Sequence, residues 1–175
     1  GHEAGVVAIT VDAGYLFSAS RDSTVRQWSL EVSACVRTFH GHTKEVTCLR
    51  VAATPHGVRL FTGSVDTTAL AFDVSTGRAV AVFPGMPDAV IHLATSNNTV
   101  YAGSAAGRIM GWDTETGSLL FSLTRHTRSV RSLVVAPRWP PAPTPKNDDF
   151  VLFSASADGS ICAWDAYSGR PLRTM

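Results

Sequence analysis

The stretch Phe153–Asp165, FSASADGSICAWD, decides the fold of this chain. Phe153 to Ser156 are small or apolar residues suited to a pleated, half-buried surface. Asp158-Gly159 is a hairpin signal, because a two-residue primed turn needs positive φ, which glycine tolerates. Ile161 to Trp164 then leave the turn as the returning strand. Ser, Asp, Cys and Trp crowd together here, as they would at a site of chemistry. The same text, however, recurs three times upstream, so the stretch is a unit of construction.

The copies align on the first-strand aromatics Phe17, Phe61, Tyr101 and Phe153. Five residues on come Asp22, Asp66, Ala106 and Asp158, and six further on Trp28, Phe72, Trp112 and Trp164. Each new copy opens 24 residues after the aromatic, at Gly41, Gly85 and Arg125. A valine follows each opening: Val6, Val46, Val90 and Val130. Valine to aromatic is 11 residues in copies one and three, 15 in copy two and 23 in copy four, so length variation is confined to one loop. Repeats of about 40 residues with insertions in one loop mark a stack of supersecondary units. Each unit needs its neighbours to cover its faces. The pattern predicts four short antiparallel strands per unit. In the first they run about Val6–Val11, Tyr15–Ser20, Thr24–Ser29 and Ala34–Phe39. No stretch holds a 3.6-residue period, so almost no helix is expected.

Composition narrows the function. Of the 175 residues, 45% are hydrophobic and 17% charged, which is globular. No apolar run approaches the ~18–20 residues of a membrane helix. A net charge of +1 supplies no global field for nucleic acid or an acidic membrane. The three cysteines, Cys35, Cys48 and Cys162, lack metal-ligand spacing and read as buried free thiols in a reducing compartment. No metal or cofactor is expected.

Gly1-His2, Gly41-His42, SASRDSTVRQW, TGSVDTTALAFD, GWD and SADGSICAWD resemble the WD-repeat β-propellers. The resemblance covers the whole chain. It implies an all-β propeller segment of four blades, about 1–40, 41–84, 85–124 and 125–175. It also implies a hydrogen-bonded set in each blade, joining the opening His, a second-strand Ser or Thr, the turn Asp and the third-strand Trp. Blade one supplies His2, Ser18 or Ser20, Asp22 and Trp28; blade four supplies His126, Ser154 or Ser156, Asp158 and Trp164. Blade two keeps His42 and Asp66 but has Phe72 for Trp. Blade three keeps Trp112 but has Met86 for His and Ala106 for Asp, so it relies on apolar packing and Trp112 needs another N–H partner. Such rings have four to eight blades. By the resemblance the ring usually closes with seven blades, so the expected arrangement is a segment of a seven-bladed propeller, about four-sevenths of a ring, from a longer parent. The alternatives are two copies closing an eight-bladed ring, or a compact four-bladed ring.

A Ser–His–Asp set invites a hydrolase reading. Its repetition from blade to blade points instead to a structural device, and no nucleophile-elbow motif is present. By the resemblance, the rim carrying the loops between blades and between second and third strands is the partner surface. It bears Glu3, Arg21, Lys44, Glu45, Asp88, Arg108 and Arg128, and bidentate arginines there suit carboxylate or phosphate. Pro137–Asp149 joins the first two strands of blade four, with PxxP spacing from Pro140 to Pro143 beside Trp139. The function expected is a non-catalytic scaffold or substrate receptor for proteins or peptides, inside the cell. The alternative is an accessory propeller of a multidomain enzyme or signalling protein; nucleic acid is the less favoured partner.

Overall fold

The computed structural model describes residues 1–96, 98–138 and 150–175. The candidate segment Trp139–Asp149, with its PxxP spacing, lies outside them. Among the described residues, sixteen strands form four antiparallel sheets. The first holds β1 (Val6–Asp12), β2 (Tyr15–Ser20), β3 (Val25–Ser29) and β4 (Ala34–Phe39). The second holds β5 (Val46–Thr54), β6 (Gly57–Ser64), β7 (Ala69–Asp73) and β8 (Ala79–Phe83). The third holds β9 (Val90–Ser96), β10 (Thr99–Ser104), β11 (Ile109–Asp113) and β12 (Leu119–Leu123). The fourth holds β13 (Val130–Pro137), β14 (Phe150–Ser156), β15 (Ile161–Asp165) and β16 (Pro171–Thr174). In each, the strands lie in sequence order. No helix among the described residues is long and apolar enough to cross a membrane.

The turn after β14 differs from the expected two-residue hairpin. Residues 157–160 form a longer loop in which Gly159 has φ +87° and Asp158 does not have positive φ. The reason is the Asp158 side chain. Its Oδ1 accepts the Ser160 N–H and hydroxyl at 2.9 and 2.6 Å, which closes a wider turn. Ser23 and Thr67 occupy the glycine position in the first two sheets, at φ 68° and 70°. They are held there by the equivalent Asp22 and Asp66 bonds to Thr24 and Thr68.

The sheets join face to face, and alternation decides which side chains meet. Phe17, Ala19, Val25 and Phe39 of the first sheet bury against Val46, Leu60, Leu70 and Phe72 of the second. Phe61 and Phe83 meet Val90 and Trp112 at the next joint, and Tyr101 and Ile109 meet Val130 and Leu133 at the third. Tight approach requires small residues: a Cβ on Gly63 would stand 2.4 Å from Val90, and one on Gly103 2.6 Å from Val130. The Thr47 hydroxyl donates across the second joint to the Val90 carbonyl.

The two end faces are bare. Val6 is 53% exposed, whereas Val46, Val90 and Val130 are fully buried at the equivalent position. On the fourth sheet Ile161 is 45% exposed, where Val25, Ala69 and Ile109 are at most 2%. Of the three thiols, Cys48 and Cys162 are buried as expected, and burial pushes the Cys48 thiol up to about 12. Cys35 is exposed, against expectation, because it lies on the outer strand β4, which no further strand covers among the described residues.

Candidate functional site

The first sheet brings together His2, Ser18, Asp22 and Trp28. His2 Nδ1 lies 2.7 Å from Asp22 Oδ2, and His2 Nε2 lies 2.7 Å from Ser18 Oγ. The Trp28 indole N–H donates to the same Ser18 oxygen at 2.8 Å. The fourth sheet repeats this with His126, Asp158, Ser154 and Trp164, at 3.1, 2.7 and 2.9 Å. In the second, His42 bridges Asp66 at 2.9 Å and Thr62 at 2.8 Å without an indole. Between the alternatives Ser18 and Ser20, and Ser154 and Ser156, the structure selects the first of each. Ser20 and Ser156 instead accept the N–H of Asp22 and Asp158 and donate to the carbonyls of Ala4 and Arg128.

A carboxylate beside Nδ1 favours the tautomer with the proton on that nitrogen, leaving Nε2 to accept the Ser or Thr hydroxyl. That is the donor order of a hydrolytic triad. These hydroxyls are buried, however, and Ser18 and Ser154 each also receive an indole N–H. A nucleophile needs space for an incoming carbonyl, and here the Oγ is enclosed by its own sheet. The set ties the segment before the first strand of a sheet to its second and third strands.

Its electrostatics agree with that role. Burial opposes charge on Asp22, yet bonds from the Thr24 hydroxyl, the Glu3 and Thr24 N–H groups and His2 outweigh it, and the carboxyl stays far below its usual range. The same balance takes Asp66 down to about 2. Burial pushes His42 below the ordinary histidine value despite Asp66 beside it. Asp158 is lowered chiefly by the Ser160 hydroxyl.

The third sheet lacks the polar set. Met86, in the histidine position, is buried in the apolar joint, and Trp112 packs its ring 5.9 Å from Phe83. No hydrogen bond from the Trp112 indole is formed among the described residues. A tie the sequence did not suggest strengthens the neighbouring joint: the Leu133 N–H donates to His92 Nδ1 at 3.2 Å. The Tyr101 hydroxyl likewise donates to the Ala166 carbonyl at 2.9 Å.

The rim residues divide into three groups. Arg21 and Glu45 pair across the first joint at 3.6 Å, both well exposed. Arg108 turns outward to the Ser122 hydroxyl at 3.1 Å, and Asp88 accepts the Ala89 N–H at 2.7 Å. Glu3, Lys44 and Arg128 are exposed, and their backbones belong to the network: the Glu3 N–H donates to Asp22, and the Lys44 and Arg128 carbonyls accept from Ser64 and Ser156.

Four four-stranded blades joined face to face, three of them carrying a His–Asp set with a Ser or Thr hydroxyl, define a propeller of the repeat type. Comparison with known proteins agrees. The family model described as WD domain, G-beta repeat matches residues 1–29 and 33–73. A second model, described as outer membrane protein assembly factor BamB, matches residues 66–172. That span covers the third and fourth sheets, whose strand order is that of the first two. A guanine nucleotide-binding protein subunit beta of Oryza sativa subsp. indica is 32% identical over 97% of this chain and 46% of its own length. The chain thus spans about half the length of the curated relatives it matches. Among solved structures, the computationally designed Ika8 protein superposes on the whole chain with TM-score 0.83 at 26% identity, over 50% of the Ika8 chain. The WD40 β-propeller domain of Doa1 superposes with TM-score 0.80 at 21% identity, over 54% of that chain, and shows the shared fold. This chain belongs to the WD-repeat family.

Proposed function

We propose that the chain is a non-catalytic protein-interaction module that works inside the cell and meets partner proteins or peptides with its rim. The observation that carries this reading is the enclosure of the chemistry-bearing His, Ser and Asp side chains in the blades. What remains to face a partner is a preorganised ring of loops, which keeps the ordering cost of binding low. On the rim, Glu3, Arg21, Lys44, Glu45, Asp88, Arg108 and Arg128 present both signs of charge. Arg21 and Arg128 are the anchors for acidic partners.

The test is the double reversal Arg21→Glu and Arg128→Glu. A fluorescein-labelled, glutamate-rich peptide followed by polarisation is expected to bind the double variant at least about tenfold more weakly. Equal affinity of a folded double variant would remove the rim from the reading.

The bare faces of the first and fourth sheets are covered by further blades of the same repeat or by a second copy of the chain. Support comes from equivalence: Val6 and Ile161 are the two halves of a joint that buries its counterparts three times. Sedimentation equilibrium of the isolated chain is expected to show self-association or aggregation. A stable, monodisperse monomer that fails to bind an apolar dye would defeat this part.

A further inference from the structure

A groove of about 500 Å³ lies between the first and second sheets, on the side opposite the rim. Tyr15, Gln27 and Arg37 line one wall; Val58, Asp73 and Ser75 line the other. Gln27 on β3 and Arg37 on β4 are direct cross-strand partners, so both point into the joint. At the same place the second sheet pairs Ala71 with Ala81, and the third pairs Gly111 with Phe121. An apolar or small pair fills the later joints. Here an amide and a guanidinium take its place.

Neither group is satisfied by the protein. Arg37 Nε is buried with no hydrogen-bond partner, and the Gln27 amide, though its residue is buried, has none among the described residues. The arginine is nonetheless held in place. Its stem lies over Gly77, where an added Cβ would come within 2.9 Å of Cδ and Nη1. The nearby carboxylate does not serve it: Asp73 is taken by Arg59, the Ser75 and Thr76 hydroxyls and the Thr76 N–H. His56 is turned to Glu115, 3.3 Å away. Arg37 is half-buried, its Nε–H has no acceptor in the protein, and a buried donor left unmade is costly.

We propose that this groove binds the carboxylate side chain of an extended acidic peptide, with Arg37 as the anchor and Gln27 as a second donor. A planar guanidinium matches a carboxylate through two parallel bonds. The apolar lip favours a peptide over a small free anion. Val36 and Val58 flank the groove, half of Val36 is exposed, and both can cover an aliphatic neighbour of the acidic residue. The site is independent of the rim residues.

The test uses the whole, isotope-labelled chain and an acetylated, amidated peptide Val-Asp-Leu-Glu-Val. The Arg37 Nε–H resonance, assigned through its loss in Arg37→Ala, is expected to shift and saturate. The Asn/Gln version of the peptide should leave it in place, and inorganic phosphate should move it only weakly. Arg37→Ala is expected to fold, since Ala81 stands at the same position one sheet on, and to bind at least about tenfold more weakly. Arg37→Lys, with charge but no fork, should fall between the two. In the rim double variant Arg21→Glu, Arg128→Glu the Arg37 Nε–H resonance should still shift and saturate with this peptide. Equal response to acidic and amide peptides, saturation by phosphate at the same concentration, unchanged affinity of Arg37→Ala, or loss of that shift in the rim variant would each overturn the assignment.

Discussion

Phe83→Ala lowers the unfolding free energy by about 3–5 kcal/mol, the range for removing a fully buried aromatic. Phe83 ends β8 with no solvent exposure, its ring 6.4 Å from Phe61 and 5.9 Å from Trp112. It therefore fills the joint between the second and third sheets, where the second sheet has no indole latch and the third no polar set. The effect goes beyond a smaller total. In a repeat array stability is a sum of unit and nearest-neighbour terms, so weakening one joint separates the units on either side. Urea unfolding followed by tryptophan fluorescence, with Trp28 on one side and Trp112 and Trp164 on the other, is expected to become broader than in the wild type. Val80→Ala is the control. Val80 lies on the same strand but is 51% exposed, so its change should stay within about 0.5 kcal/mol. A loss under about 1 kcal/mol for Phe83→Ala would contradict this account of the joint.

Asp66→Ala is the second large loss, about 3 kcal/mol, because each buried donor left unmade costs about 1–3 kcal/mol and the change strands several, some of them part-exposed. The substitution leaves His42 Nδ1, the Thr43 N–H, the Thr68 N–H and the Thr68 hydroxyl without their acceptor. Asp66→Asn keeps acceptor capacity and should cost less. The informative variant is the double change His42→Met with Asp66→Ala, which gives the second sheet what the third already has in Met86 and Ala106. An unpaired group is penalised more than an absent pair. The double variant should therefore lose less than the sum of the single changes, by roughly 1 kcal/mol or more. Strict additivity in chemical denaturation would show that the histidine and the carboxylate act separately.

The strand plan was legible because its signal repeats. Tyr15–Ser20 and Ala34–Phe39 fall where the spacing placed them, and Val6–Asp12 and Val25–Ser29 differ by one residue at one end. Ser18 and Ser20 could not be separated in the sequence. They are two apart, so they share a face, and only depth below His2 distinguishes the one that meets the ring. The turn at Asp158-Gly159 was misread because a side-chain bond, which no dipeptide rule contains, sets its length. Cys35 was misjudged because burial on an outer strand depends on what lies beyond it. His92 and the Gln27–Arg37 pair carried no signal. His92 acts across a joint between distant residues and does not recur at the repeat spacing; Gln27 and Arg37 pair within one sheet, and of the two only the arginine recurs, as Arg173.

The faces that meet at each joint are unlike. One offers valine and leucine from an inner strand; the other receives them in a hollow made by a glycine or alanine. Contact of this kind has a direction, like a link with a hook at one end and an eye at the other. A copy that docks on the fourth sheet uses its hook there and brings its own open eye with it. Growth then ends only when the rotation from link to link returns the last eye to the first hook; otherwise it continues as a filament. A chain altered at one end alone, at Val6 or at Ile161, still binds through the other. Added in small amounts, it halts addition at one end of a growing assembly.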